Sequence, residues 1–187
     1  FRDKEGQVLV ATVQRREGRV VLFDLGRATA VMPPEEQAPH EQYGPGVRMK
    51  VYVVRVALTT KGPEIVISRT HTELIRKLFS IEIPEVASGA VEIKAIAREA
   101  GARSKVAVTS ADTSIDPIGS CIGQRGTRIQ TITSELGGEK IDIISWNEDP
   151  QVFIGNALSP AKVQRVDANI ELKNASVHVA PDQLSLA

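Results

Sequence analysis

The chain has 187 residues, with 23 Lys and Arg balanced by 23 Asp and Glu, so its formal net charge is zero. A neutral chain is not held on a polyanion by bulk attraction, so any phosphate contact must be local and use few basic groups. No apolar run is long enough to span a membrane, and the single cysteine, Cys121, excludes an internal disulfide. We expect a cytoplasmic protein with no membrane association, no metal and no cofactor. The first residue, Phe1, indicates a fragment or a processed chain.

Residues 6–69 are predicted to be all-β, because short apolar runs alternate with turn residues. The polar run 15–18 is predicted to be a hairpin turn. Five strands of this length are typical of an OB-type barrel. Phe23 either packs inside that barrel or stacks on a base, and the sequence leaves both open. The predicted strands are Val8–Val13, Val20–Phe23, Ala28–Met32, Val47–Leu58 and Ile65–Ser68.

An amphipathic helix is predicted from Glu73 to Phe79, followed by two strands, Val91–Ala97 and Lys105–Ser110. The turn between these strands carries two arginines. Three basic residues of this hairpin are candidate phosphate contacts, and the alternative is a solvated hairpin tip. They are Arg98, Arg103 and Lys105.

A glycine-bounded tetrapeptide, Gly123-Gln124-Arg125-Gly126, separates two predicted helices. Glycines at both ends allow a sharp turn and a close backbone approach to a ligand. The free N–H groups of the following helix favour a phosphate. The candidate binding residues are Ile122, Gly123, Gln124, Arg125, Gly126, Thr127 and Arg128.

Helix, GxxG, helix and the strand Ile141–Trp146 together resemble a KH domain, a fold that clamps about four single-stranded nucleotides over its loop. The preceding helix and strand pair complete the type II topology. The runs Gly6–Val13 and Ile67–His71 resemble an S1 domain. After Trp146 the helix-and-hairpin pattern restarts, and the sequence stops before a second GxxG. The predicted architecture is multidomain: an all-β S1 (OB-fold) barrel over residues 1–70, an α+β type II KH domain over 71–149, and an incomplete second KH domain over 150–187.

Barrel, KH and second KH in this order resemble the RNA-binding core of the NusA family of bacterial transcription elongation and termination factors. The matching runs include Val91–Gly101, Gly119–Gly123, Gly137–Ile143 and Asn156–Pro160. The resemblance implies a non-enzymatic protein that binds single-stranded nascent RNA and modulates RNA polymerase pausing, termination and antitermination. It implies RNA polymerase and other elongation factors as partners, through parts absent from this sequence.

The sequence leaves two other classes of protein open. Exoribonucleases also carry KH and S1 modules, but there the KH domain comes first and catalytic domains precede both. A protein-interaction scaffold without RNA affinity is the second alternative.

Overall fold

The computed structural model describes residues 1–187, and its N-terminal part is a closed five-stranded barrel. The strand order around the barrel is β1-β2-β3-β5-β4, with β3 and β5 parallel and joined by a single pairing, Val31 to Val66. The predicted strands are confirmed, but the predicted turn at 15–18 is wrong. Residues 15–17 extend the first strand and pair with the second, so the chain reverses only at Gly18-Arg19. The strands are β1 (Val8–Glu17), β2 (Val20–Asp24), β3 (Thr29–Met32), β4 (Arg48–Thr59) and β5 (Gly62–Ser68).

Alternation along the barrel strands separates a buried core from the outer face. In β2, Val21 and Phe23 point inward and are fully buried, while Val20 and Leu22 alternate with them. The Phe23 ring packs edge-on against Tyr43, with 6.2 Å between ring centroids. The interior is therefore filled by side chains and leaves no room for a base.

The middle of the chain folds into three helices over a three-stranded sheet, with a short helical turn after the first helix. The sheet order is β6-β7-β8, antiparallel between β6 and β7 and parallel between β7 and β8. One apolar core joins the sheet to the helices and contains Leu74, Phe79, Val106 and Ile132. The elements are α1 (Thr72–Glu82), α2 (Pro84–Ala87), β6 (Glu92–Glu99), β7 (Arg103–Thr109), α3 (Pro117–Ile122), α4 (Thr127–Glu135) and β8 (Lys140–Ser145).

The last part of the chain is one helix and a hairpin: α5 (Pro150–Ala157), β9 (Val163–Asn169) and β10 (Asn174–Val179). The Asp149 carboxylate caps α5 by accepting from the N–H of Gln151 at 2.9 Å. The helix lies against the preceding sheet, because the Asn156 amide donates to the carbonyl of Ser145 at 3.1 Å. Lys105 donates to the carbonyl of Ala157 at the C-terminal end of the same helix.

A buried charge network joins the barrel to the helices that follow it. Arg69, 2% exposed, pairs with Glu41 and Glu135 and donates to the carbonyls of Lys50 and Glu135. Burial by itself lowers the pKa of Arg69, but its hydrogen bond and ion pairs with Glu41 and Glu135 raise the pKa above its ordinary value. The guanidinium therefore stays charged, and the junction keeps its ion pairs across the physiological range.

Arg98 and Glu139 form a second buried ion pair beside the first. Arg98 donates to both carboxylate oxygens of Glu139 and to the carbonyls of Arg69 and His71, at 2.8 and 2.9 Å. Glu139 also accepts from the Ser104 hydroxyl at 3.0 Å. The segment from β5 into α1 is thus held by side chains from β6 and from the loop before β8. No helix in the chain is both long and apolar enough to cross a membrane.

Candidate nucleic-acid interface

The loop between α3 and α4 contains three residues with positive φ. Gly123 has φ 76°, Arg125 has φ 56° and Gly126 has φ 72°, and the N–H of Gly126 bonds to the carbonyl of Gly123 at 3.1 Å. The Gln124 and Arg125 side chains are exposed at the tip. This tight turn places the N-terminal end of α4 at the surface beside the exposed Arg125. The partial positive charge of the helix end and the guanidinium together favour an anion.

The two glycines of the loop are needed for different reasons. A β-carbon on Gly123 would lie 2.7 Å from Cγ of Arg128, so no side chain fits there unless that arginine moves. Nothing lies within 4 Å of a β-carbon on Gly126. Glycine is favoured there only because the backbone is left-handed. Arg128 donates to Glu85 at 2.8 Å and to the carbonyl of Ser120 at 2.7 Å, so it holds the loop from behind.

An apolar cleft of about 370 Å³ opens on one side of the loop, between α3, α4 and the edge strand β8. Isoleucines form its walls, and Ile122 is 38% exposed within it. The segment after α5 closes one end of the cleft. Its lining residues are Ile122, Ile129, Ile141, Asp142, Ile143, Ile144, Ser159 and Pro160.

Strand β8 pairs with β7 along one edge only, so its other edge is open to the cleft. The N–H groups of Lys140 and Trp146 bond to β7 or to the turn before it. Alternate residues of a strand present their backbone groups to opposite edges, so Ile141 and Ile143 direct their N–H and C=O groups away from β7. The cleft thus combines an apolar wall with free backbone donors and acceptors.

A larger groove of about 660 Å³ lies on the other side of the loop. It is lined almost entirely by polar side chains and includes the carboxylates of Glu85 and Asp116. Arg128 neutralises Glu85 there, but Asp116 has no ion-pair partner and would repel a phosphate, and the lining has almost no apolar side chains for bases. This groove is therefore the poorer candidate for nucleic acid despite its size.

The structure brings together six of the predicted site residues and separates the others. Ile122 to Thr127 form the loop and its flanks, beside the cleft. Arg128 lies behind the loop, paired with Glu85. Arg103 and Lys105 pair in register with Lys140 and Asp142 of β8, on the sheet face opposite the α3–α4 helices. Arg103 forms an ion pair with Asp142 at 3.4 Å, and Lys105 donates to the carbonyl of Ala157 at the end of α5.

The structure contradicts both interpretations of Arg98, and of the two alternatives for Phe23 it supports packing. Arg98 is neither a phosphate contact nor a solvated tip, because it lies inside β6, 2% exposed and paired with Glu139, which is itself fully buried. Phe23 is not a stacking surface, because its ring is fully buried in the barrel core. Neither side chain can reach a ligand without disrupting the fold.

Sequence reasoning missed the wall of the cleft contributed by β8. The period-two spacing of Ile141 and Ile143 marks one face of that strand, and this spacing could have pointed to them. The contribution of Ser159 and Pro160 depends on how α5 docks, and no local pattern gives that. Asp116 occupies the N-cap position of α3, but its side chain makes no capping hydrogen bond.

Helices, a GxxG loop and a mixed three-stranded sheet together define a KH domain, so the chain carries a KH unit. Family comparisons agree. The model described as "NusA-like first KH domain" matches residues 69–146, and the one described as "NusA-like second KH domain" matches residues 150–187.

Curated relatives named "Transcription termination/antitermination protein NusA" align with the whole of the chain. Those from Halalkalibacterium halodurans and Bacillus subtilis are each 49% identical over 187 residues, and the one from Thermus thermophilus is 53% identical over 188 residues. The alignment spans 49%, 50% and 49% of those proteins, respectively, so the chain spans about half the length of the curated relatives it matches. The chain belongs to the NusA family.

Proposed function

We propose that this chain binds single-stranded RNA through the GxxG loop and the adjoining cleft. The observation that carries the proposal is the juxtaposition of the anion-binding loop, Gly123 to Gly126, with an isoleucine-walled cleft whose far side is an open strand edge. The loop suits a sugar–phosphate backbone, and the cleft suits unstacked bases. A double helix keeps its base edges paired and does not fit such a cleft.

Each part of the site has a separate role in this binding. The positive N-terminal end of α4 and the Arg125 guanidinium attract the phosphates. The Ile122, Ile129 and Ile143 side chains bury the base faces. The open backbone groups of Ile141 and Ile143 bond to base edges, which can discriminate between bases. Because few charges are involved, affinity depends weakly on salt, with a slope of roughly −0.7 per phosphate contact for a single strand.

In the cell, we propose, this RNA binding serves the modulation of RNA polymerase pausing, termination and antitermination in the cytoplasm. The relatives' name and the KH matches support this proposal. RNA polymerase and other elongation factors are the proposed protein partners, contacted through further parts of such a protein. The function is one of binding, with no catalytic step. None of the three relatives carries an exoribonuclease name.

We also propose the division into an S1 (OB-fold) domain over residues 1–70, a KH domain over 71–149 and the second KH unit over 150–187. The closed barrel with its parallel β3–β5 closure supports the first. The helix-and-hairpin order of α5, β9 and β10 supports the last.

The test is a titration of the isotopically labelled 187-residue chain with a single-stranded RNA of about ten nucleotides, followed by amide NMR. A duplex of the same sequence is the matched control. We expect the single strand to shift the amide signals of residues 123–127 and of Ile141 and Ile143, and the duplex to leave them in place. Shifts confined to the barrel, or equal shifts with the duplex, would refute the proposed site.

A further inference from the structure

The outer face of the barrel carries aliphatic side chains on three neighbouring strands, at positions that are usually polar in antiparallel sheets. In β2, β3 and β5, the residues that alternate with the innermost side chains are Leu22, Val31 and Val66. Val31 is half-buried, and only 9% of Leu22 and of Val66 is exposed. They are neighbours across the strands, since Leu22 pairs with Val31 and Val31 with Val66. Val31 is the member of this set with appreciable exposed surface, and it lies in one groove with two further half-buried valines, Val20 and Val54.

This groove has a volume of about 530 Å³. Val20, Val31 and Val66 lie along the floor, and Pro33 closes one end. The groove follows the short β3–β5 pairing, which consists of a single residue pair.

Carboxylates form the rim of the groove. Of its nine lining residues, Glu35, Glu36 and Glu64 are acidic and Arg55 is basic. Arg55 is neutralised by Glu64 at 3.0 Å, and Glu36 bonds to the Thr70 hydroxyl at 3.3 Å. The Glu35 carboxylate is exposed without an ion-pair partner. The net charge around the apolar floor is therefore negative.

These properties exclude nucleic acid as the natural occupant. OB-type barrels hold oligonucleotides on the face built around strands 2 and 3, by stacking bases on aromatic rings beside basic groups. Here the ring of Phe23 is inside the barrel and the groove lining contains no aromatic side chain. The carboxylate rim repels phosphates.

We propose that this groove binds a protein segment in which aliphatic side chains alternate with Lys or Arg. The aliphatic side chains cover Val31 and Val66, and the cations pair with Glu35 and Glu36. The barrel then contributes a protein contact on a different surface from the RNA cleft, so both ligands can be held at once.

The test uses the labelled 187-residue chain and three probes, observed by amide NMR. The first is a synthetic decapeptide of alternating Lys and Leu, the second its Glu-Leu counterpart, and the third a single-stranded RNA of about ten nucleotides. We expect the Lys-Leu peptide to shift the amide signals of Val31, Glu35 and Val66, and the other two probes to leave them in place. Groove shifts with the RNA, equal shifts with the acidic peptide, or no shifts with the basic one would each overturn the proposal.

Variants separate charge from shape. Glu35→Gln with Glu36→Gln removes the rim charge and is expected to weaken Lys-Leu peptide binding roughly fivefold, as two exposed ion pairs would. Val31→Thr keeps the volume of the floor but makes it polar, and should also weaken the peptide. Glu148→Gln removes an exposed carboxylate outside the groove and is the control. Equal affinity of the Glu35/Glu36 variant and the control variant would contradict the charge argument. RNA binding at residues 123–127 should stay unchanged in all three.

Discussion

The double substitution Gln124→Asp with Arg125→Asp tests the RNA site at its loop. Both side chains are exposed at the tip, so the change leaves the core untouched. Arg125 has φ 56°, a backbone region that Asp and Asn adopt more readily than most residues. The same carboxylate at Gly123 would be a poorer probe, because its β-carbon would press on Arg128 and disturb the loop itself.

The expected loss of affinity follows from the charge at the loop. One positive charge is removed and two negative charges are added, a change of three units beside the bound phosphate. A charge about 6 Å from a phosphate in water contributes about 0.7 kcal/mol. The three together weaken binding by about 2 kcal/mol, which is roughly a thirtyfold rise in Kd.

The assay is fluorescence anisotropy of a labelled single-stranded RNA at fixed salt, with a thermal melt of each variant alongside. Gln124→Asn with Arg125→Asn is the matched control, since it has the same shape but loses one charge only. We expect the control to weaken binding about threefold, with about 0.7 kcal/mol lost. If the two variants bind RNA equally well and both melt like the parent, the loop does not contact the phosphates.

Three further predictions concern the buried side chains. Arg98→Ala leaves the charge of Glu139 unpaired inside the protein and should lower the free energy of unfolding by about 3–5 kcal/mol, measured by urea denaturation. Phe23→Ala should cost about 3–5 kcal/mol in the same assay, while the folded fraction keeps its RNA affinity. Burial, with Glu85 nearby, raises the pKa of the Cys121 thiol to about 11. The folded state therefore favours the neutral thiol, and the stability this provides is complete below the unfolded pKa of about 8.5 and is lost as the pH rises toward 11.

Each of these predictions has its own refutation. A folded Arg98→Ala variant of normal stability that fails to bind RNA would restore Arg98 to the site. The same result for Phe23→Ala would restore the stacking role. For the thiol, Cys121→Ala should flatten the fall in stability between pH 8 and pH 10, and an unchanged slope would show that another group causes it.

The barrel strands and the GxxG loop could be predicted because their signals are local. Alternation marks Val51 and Val53 as one face of a strand, and glycine at positions 123 and 126 marks the left-handed turns. The same alternation predicts that Phe23 is on the inner face, since it is two residues from Val21. The hairpin turn was misplaced because both faces of β1 are exposed at charged residues 15–17, and polarity alone does not distinguish such a strand end from a turn.

The role of Arg98 could not be predicted, because its partner is 41 residues away along the chain. Nothing near either residue shows that both become buried, and an arginine before a turn usually faces solvent. The open edge of β8 is a similar case. It exists because of the strand order in the sheet, which the residues of β8 do not specify by themselves.

The buried pairs of Arg69 and Arg98 have a consequence for ligands that touch both parts of the molecule. Arg69 links the barrel to α4, and Arg98 donates to the carbonyls on either side of Thr70. The segment that joins the barrel to α1 is therefore held in one position. The separation between the barrel groove and the RNA cleft is therefore a fixed length. A protein bound in the groove therefore lies at one distance and one angle from RNA bound in the cleft. A partner whose own two binding sites are spaced differently cannot occupy both surfaces, even if it fits each of them separately.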